Sequence, residues 1–280
     1  MTIMKHRTST TGAIKALAVL TIIGLSTSVV AQVDGFNKGK GNMDLVGSLS
    51  YGQGLAYYVA EGTAPITRGS VALSLFAARG ITKDLDVQLN IPFISISGSS
   101  GLQDGQLFIK WLPLRTSTAS GTLSFGAAIG GSTPLSEYET EGIGAIGQQA
   151  SSFIPMGVAQ YMAGSGMFIS LVGGHIAASS PTPDALIGTI RLGKASNDSY
   201  WEAYVQGQEA FGGKDYLGVG DQAPSTFKEL GVSFIKVGGK YYKPAGERFG
   251  WVVESSYTLA GRNVDQTIMV AGSFIMHFRK

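Results

Sequence analysis

The side chains of this sequence that could do acid–base or nucleophilic chemistry are few and scattered. His175 lies close to Ser179 and Ser180, and a His–Ser pair could serve a lipid hydrolase at a membrane surface. Such a serine needs an adjacent oriented base and a third partner, and no motif around His175 supplies them. The run 142–147 has the letters of a dinucleotide fingerprint, but SEYETE precedes it and QQASS follows it, where the fingerprint requires a strand and a helix. We predict no enzyme, no cofactor and no metal site, and keep the hydrolase as an alternative.

A second group of candidates consists of polar residues that alternate with apolar ones. Arg191 and Glu202 lie in neighbouring predicted strands, on the face opposite the apolar side chains. A two-residue turn at Ser196 and Asn197 would set Arg191 directly opposite Glu202, where opposite charges attract. We assign the following residues to the lining of the inner face: Gln88, Asn90, Lys110, Arg191, Glu202, Gln206 and Glu254. They either line a solute path or fill and brace the interior.

The elements that position these residues are β-strands, because apolar and polar residues alternate with a period of two. The pattern is strictest in LDVQLNIPF, and the sequence on either side repeats it. A link at residues 81–83 would set Leu75 opposite Leu89, and the next hairpin would set Lys110 opposite Asn90. Both registers keep the apolar residues on one face, as a sheet requires. The sequence therefore predicts antiparallel hairpins.

The composition indicates whether the apolar face of the sheet forms a dry core or faces lipid. The polar face carries mainly Ser, Thr, Gly, Asn and Gln, and only 14% of all residues are charged, against about 25% in ordinary soluble proteins. The chain also has 40 glycines and 44% hydrophobic residues. An apolar outer band around a polar interior is typical of a transmembrane barrel. A soluble barrel remains the alternative.

The beginning of the chain predicts export. A basic leader is followed by the apolar run ALAVLTIIGL at 16–25 and by small residues at 29–31. This is the pattern of a secretory signal peptide, and the run is too short to span a membrane as a helix. We therefore predict a signal peptide at 1–31, a flexible polar lead-in at 32–42, and a barrel at 43–280 in the bacterial outer membrane.

Twelve strands are predicted, an even number as bacterial barrels have. Their ranges are 43–51, 67–79, 84–96, 104–114, 120–131, 150–163, 167–178, 184–194, 199–211, 226–239, 248–259 and 265–278. Long connections, at 52–66, 132–149 and 212–225, alternate with short ones. Short periplasmic turns and long external loops are the rule for such barrels.

Aromatic residues mark one end of the predicted strands. Trp111, Trp201 and Trp251 each lie within a few residues of a short turn and on the apolar face, and Phe278 ends the last strand. Indole rings favour the headgroup layer of a membrane. We predict that these four residues form a girdle at the periplasmic interface.

The segment around the strictest strand resembles a known family. The matching residues are Gly80 with LDV at 85–87, IPF at 91–93, GLQD at 101–104 and IKW at 109–111. They are similar to the outer-membrane proteins named for the meta-pathway of phenol degradation, which are described as transporters. That family tends to have a second Gly where this chain has Gln103. The resemblance implies an outer-membrane barrel for uptake of small, often aromatic, compounds, and it supplies no site residues.

The expected function is passive passage of small, possibly aromatic or hydrophobic, solutes across the outer membrane. The alternatives are a structural or adhesive barrel that displays external loops, and the lipid hydrolase at the rim. We expect outer-membrane lipid and a small solute as partners, and no nucleic acid. Twelve strands can enclose a narrow pore or be filled by side chains, so the sequence leaves the state of the lumen open.

Overall fold

The wall of the molecule consists of twelve long strands. The computed structural model describes residues 33–280, so the predicted signal peptide lies outside the described residues. The wall strands are β1 (Met43–Tyr58), β2 (Arg68–Gly80), β3 (Leu85–Ile96), β4 (Asp104–Ser117), β5 (Gly121–Pro134), β6 (Ser152–Ala163), β7 (Met167–Ala178), β8 (Ala185–Ala195), β9 (Tyr200–Ala210), β10 (Ser233–Pro244), β11 (Phe249–Arg262) and β12 (Val264–Phe278). Two short strands, Thr63–Ala64 and Ser99–Leu102, extend hairpins at one end.

The sheet closes on itself. Each wall strand pairs antiparallel with its neighbours in the chain, and β1 also pairs with β12, with Met43 opposite Phe278. Closure removes the open edges that would leave backbone groups unpaired in lipid. The predicted twelve-stranded antiparallel barrel is confirmed.

The alternating sequence gives the barrel an apolar outer wall. Leu89 and Ile109 are 41% and 43% exposed, whereas their neighbours Asn90 and Lys110 are buried inside. The same alternation leaves leucine, isoleucine and aromatic side chains exposed on strands all round the ring. A wall of this kind is stable in a bilayer and not in water. No helix in residues 33–280 is long and apolar enough to cross a membrane.

Two predicted registers are wrong by an even number of residues. Leu75 pairs with Ile91 rather than with Leu89, because the link between β2 and β3 spans residues 81–84. Lys110 pairs with Asp86 rather than with Asn90. The cause is the short strand Ser99–Leu102, which occupies the outer end of β3. Even shifts keep each side chain on its face, so the apolar and polar sides are unaffected.

The connections differ at the two ends of the barrel. The turns at 81–84, 118–120, 164–166, 196–199 and 245–248 are short and lie at the end where β1 begins. The longest loops, 135–151 and 211–232, lie at the other end. The tenth strand begins at Ser233 and not at 226 as predicted, because residues Phe227–Glu229 form a 3-10 turn that is hydrogen-bonded into the loop region.

Candidate functional site

The barrel interior contains the seven residues assigned from the sequence to its lining. Six of them are between 0% and 4% exposed, and Glu254 is half-buried. The six are Gln88, Asn90, Lys110, Arg191, Glu202 and Gln206. Five strands contribute the seven side chains, so they surround the lumen and do not form one compact cluster.

Arg191 and Glu202 meet inside the barrel, but the predicted register is wrong. Arg191 pairs with Tyr204, and Glu202 pairs with Gly193, because the turn spans residues 196–199. The two side chains make a diagonal contact, with Arg191 Nε 3.8 Å from Glu202 Oε1. Opposite charges therefore still meet at neighbouring positions of the inner face.

Two lysines of β10 complete this charged region. Lys240 Nζ lies 3.1 Å from Glu202 Oε1 and directly opposite Glu254 in the sheet. Lys236 is 4% exposed and pairs with Gln206. The sequence analysis missed both lysines: the predicted strand ended at 239, before Lys240. The bulge beside Lys236 places its extra residue, Leu259, in β11, so the alternation of β10 is regular and Lys236 and Lys240 share the inner face.

The stretch 33–42 runs from inside the barrel to its short-turn rim, where Lys40 is exposed; the sequence predicted a flexible lead-in here. We call this stretch the N-terminal segment. Asp34 Oδ1 accepts a hydrogen bond from Lys110 Nζ at 2.8 Å, and Lys110 also donates to the carbonyl of Phe36. Lys38 contacts Asp44 Oδ2 through Nζ at 2.7 Å, and its backbone N–H donates to Asp86 at 3.1 Å. The segment is therefore fixed by charge-assisted hydrogen bonds to wall strands.

The charges of the N-terminal segment are stabilised by these contacts. Burial alone would raise the pKa of Asp34, but the nearby ammonium groups of Lys110 and Lys38 outweigh it and hold the pKa below its usual range. Burial would lower the pKa of Lys38, but Asp44 and Asp34 outweigh it and raise that pKa. Both groups are therefore charged at neutral pH.

Apolar packing fills one side of the lumen. Val33 of the N-terminal segment is fully buried against a cluster that includes Phe108, Leu112 and Ile154. The ring of Phe36 lies edge-on to Phe168, with centroids 5.1 Å apart. The inner face of β4–β8 is thus far more apolar than the predicted mixture of neutral polar groups and charges.

A cavity remains on the other side of the lumen. Its volume is about 520 Å³, and we call it the lower cavity. It extends from Lys38 and His277 at the short-turn end to Gln206 and Lys236. A second space of about 280 Å³, the upper cavity, lies under the long loops. Lys236 lines both spaces, so the two approach each other at this residue.

The long loops cover the outer end of the barrel. Gln148 Nε2 donates to the carbonyl of Leu230 at 2.8 Å, which joins loop 135–151 to loop 211–232. The carboxylate of Glu141 accepts hydrogen bonds from the backbone N–H of Phe227 at 3.1 Å. Arg68 at the end of β2 donates to the carbonyl of Ile143 at 3.2 Å. The loops therefore narrow the outer mouth.

His175 lies on the outer face of β7, near the long-loop end. Its Nε2 lies 3.5 Å from Asp184 Oδ2, and its ring is 5.8 Å from that of Phe211. The hydroxyl of Ser179 instead accepts a hydrogen bond from the backbone N–H of Ser151. The glycine run from 142 forms a 3-10 turn, Gly142–Gly144, within a loop. Residues 33–280 contain no group of three or more acidic, His or Cys side chains that could hold a metal ion.

The aromatic residues of the predicted girdle are exposed at the short-turn end. Trp111 pairs with Leu85, the first residue of β3, and Trp201 and Trp251 lie near the starts of β9 and β11. The exposed fractions of Trp111, Trp201, Trp251 and Phe278 are 55%, 38%, 42% and 45%. The ring of Tyr241 lies 5.8 Å from that of Trp251. Amphipathic rings on a lipid-facing wall favour the headgroup layer, so we propose that these four mark one membrane interface.

A closed barrel with an apolar outer wall and a polar and charged interior defines the class of this protein: it is a β-barrel of the bacterial outer membrane. No family model and no curated protein matches the chain.

Solved structures do match it. The chain is similar to the COG4313 outer membrane channel from Pseudomonas putida F1, with a TM-score of 0.67 and 15% identity over 85% of this chain and 96% of that one. The translocator domain of autotransporter NalP from Neisseria meningitidis has a TM-score of 0.45 and 11% identity, over 86% of this chain and 89% of that one. The KdgM porin has a TM-score of 0.43 and 8% identity, over 84% of this chain and 99% of that one. The match to the Pseudomonas putida protein establishes a shared barrel fold.

Proposed function

We propose that the protein is an outer-membrane channel for passive passage of small solutes. The observation that carries this proposal is the space inside the barrel: a lower cavity of about 520 Å³ and an upper cavity of about 280 Å³ that both reach Lys236. Barrels of about eight strands fill their interior with side chains, so the space left inside this larger barrel favours passage of a solute.

The seven residues predicted from the sequence divide between two roles in this proposal. Gln88, Asn90, Gln206 and Glu254 line the lower cavity, where a solute would contact them. Lys110 fixes the N-terminal segment, and Arg191 and Glu202 brace neighbouring strands. The N-terminal segment narrows the route and would have to shift for larger solutes to pass.

The lumen supports small solutes with apolar parts. Its β4–β8 side is apolar, and Phe36, Phe76 and Tyr204 line the lower cavity. Acidic and basic side chains are present together, so strong charge selection is not expected. The resemblance to the phenol meta-pathway family favours the same class of solute, and the fold shared with a Pseudomonas putida channel supports the channel role.

The test is swelling of liposomes that contain the purified barrel, with sugars, amino acids and small aromatic acids as solutes. Swelling faster than that of protein-free liposomes supports the channel. If gel mobility shows that the barrel is folded but none of these solutes passes, the channel is excluded and the structural or adhesive role is favoured. The rim hydrolase has little support, because the Ser179 hydroxyl contacts the backbone N–H of Ser151 whereas the His175 ring contacts Asp184.

A further inference from the structure

Aromatic and basic side chains lie together on the outer wall near the short-turn end. Lys194 of β8 pairs with Trp201 of β9, which pairs with Tyr241 of β10. Lys243, also of β10, pairs with Trp251 of β11, and the rings of Tyr241 and Trp251 are 5.8 Å apart. All five side chains are exposed on the outward side of their strands. This surface therefore combines positive charge with rings that favour the headgroup layer of a membrane.

The two lysines of this surface have no counter-charge in the protein. Neither Lys194 Nζ nor Lys243 Nζ lies within 4.0 Å of a carboxylate of residues 33–280. At the same end, by contrast, Lys83 and Arg115 both contact Asp84. A lysine on a lipid-facing wall extends its ammonium group to the headgroup level, where anionic headgroups attract it. Charge complementarity therefore points to a lipid with a negatively charged headgroup.

A groove in the outer wall begins beside Trp251. Its floor contains Gly47 of β1 and Gly272 of β12, and its volume is about 730 Å³. A Cβ added to either glycine would meet no atom within 4 Å, so packing within the protein does not require glycine at these positions. Large apolar side chains border the groove: Leu49, Leu73, Leu75, Phe93, Trp251 and Phe274. An exposed apolar groove of this kind suits a hydrocarbon chain of the surrounding lipid.

The groove leads from the short-turn end toward the middle of the membrane. The partners of Tyr241 continue from strand to strand through Gly272 and Leu49 to Phe93 of β3. This row starts at Lys194, beside the last residue of β8, and ends where Phe93 pairs with the short strand at the long-loop end. Because barrel strands are tilted by about 35–45°, a row of paired residues climbs across the wall. A chain in the groove would therefore extend inward from the headgroup level.

We infer that this surface binds an anionic phospholipid, with its phosphate at Lys243 and one acyl chain in the groove. Tyr241 and Trp251 contact the glycerol region, and the chain lies over Gly272. Lys194 adds positive charge from two strands away. Short turns of such barrels lie in the periplasm, so the lipid belongs to the inner leaflet of the outer membrane. This inference goes beyond the proposed channel and rests on the proposal that the aromatic girdle marks a membrane interface.

Quenching of tryptophan fluorescence by brominated lipid measures which lipid lies beside Trp251. The chain has three tryptophans, so Trp111→Phe and Trp201→Phe leave Trp251 as the single reporter. This barrel is reconstituted in phosphatidylcholine bilayers that contain increasing fractions of brominated phosphatidylglycerol or brominated phosphatidylethanolamine. A basic residue at the surface favours an anionic lipid by roughly fivefold, so phosphatidylglycerol should quench at a correspondingly lower fraction. Equal quenching by the two lipids would overturn the site.

Two substitutions with matched controls then locate the headgroup and the chain. Lys243→Gln should abolish most of the preference, whereas Lys83→Gln removes the same charge from a short turn and should not. Gly272→Leu should fill the groove and reduce the preference. Gly157→Leu is its control, because Gly157 also faces outward, on β6, with no atom within 4 Å of an added Cβ.

Three results of these substitutions would refute the assignment. They are an unchanged preference in Lys243→Gln, an equal loss in Lys83→Gln, and no effect of Gly272→Leu. The alternative occupant of the groove is a second copy of the barrel, which light scattering in detergent detects. The mass should be unaffected by Gly272→Leu. A dimer that this substitution converts to a monomer would show that the groove is an interface between copies, and would overturn the lipid site.

Discussion

Replacing Asp34 with Asn is the sharpest perturbation of the N-terminal segment. The substitution removes the negative charge that contacts Lys110 Nζ at 2.8 Å and keeps nearly the same volume. Lys110 retains Asp86 at 3.4 Å, so no buried cation is left without a counter-charge. The wall should therefore stay intact while the segment loses one of its attachments.

The size of the effect follows from the environment of this contact. A hydrogen bond to a charged group contributes about 1.5–3 kcal/mol, and the side chain of Asp34 is 32% exposed, so we take the lower part of that range. A loss of about 1.5 kcal/mol shifts the ratio of displaced to bound segment by roughly tenfold. Lys38 and Val33 keep the segment bound most of the time.

Single-channel recording in planar bilayers measures this shift. The Asp34→Asn barrel should spend about ten times longer in a high-conductance state than the wild type, and deletion of residues 33–42 should make that state permanent. Asp84→Asn is the control, because Asp84 lies in a short turn at the same end and contacts Lys83 and Arg115 instead. If the deletion raises conductance and Asp34→Asn does not, the proposed attachment through Asp34 is wrong.

The same contact predicts a pH dependence. Because the pKa of Asp34 is lowered in the folded protein from its ordinary value of 3.8, its contribution is fully present above that value. The contribution is lost as the pH falls through the lowered pKa. Opening should therefore be constant near neutral pH and increase below about pH 4. Asp34→Asn should abolish the increase in opening that protonation of Asp34 causes, and any acid response from other groups should persist.

Three further substitutions test other parts of the structure. Glu202→Gln removes the buried negative charge that contacts Arg191 and Lys240 and should destabilise the barrel by about 3 kcal/mol in urea unfolding from vesicles. A change below about 0.5 kcal/mol, the size of an ordinary surface effect, would contradict the contact network. Ile109→Arg puts a charge on the lipid face at a cost of about 2–4 kcal/mol and should reduce the fraction of protein assembled in the membrane. Leu135→Arg, in an external loop, is the control and should not reduce that fraction. Equal assembly of the two variants would place Ile109 outside the membrane. Lys236→Glu should move the reversal potential in a salt gradient toward cation preference, and an unchanged potential would mean that ions do not pass Lys236.

The two faces of the barrel wall were predictable, because alternation with a period of two determines which face each residue occupies. Leu89 and Ile109 face outward and Asn90 and Lys110 inward, although the registers of both hairpins were predicted wrongly. A register error of an even number of residues changes partners and not faces. Turn length sets the partners, and a link of three residues cannot be told from one of four by alternation alone.

The contents of the lumen were much less predictable. Residues 33–42 are polar and rich in glycine, which is the composition of a flexible stretch, yet Asp34 and its neighbours are held inside the barrel. Their attachments connect Asp34 with Lys110 and Lys38 with Asp86, pairs far apart in the chain that no local pattern can reveal. The apolar cluster around Phe108 was missed for a similar reason: its members are spread over five strands. Lys236 was missed although it alternates regularly with Ile235 and Val237, because the predicted strand began at 226 instead of at Ser233.

Cysteine accessibility tests most directly the claim that this is a membrane barrel with a water-accessible lumen. The chain has no cysteine, so single cysteines can be placed without a background. Ser48 borders the lower cavity, whereas the adjacent Leu49 is 51% exposed on the outer wall. In proteoliposomes a charged maleimide should label Ser48→Cys and leave Leu49→Cys unlabelled until detergent is added. Labelling of Leu49→Cys with protection of Ser48→Cys would contradict the account.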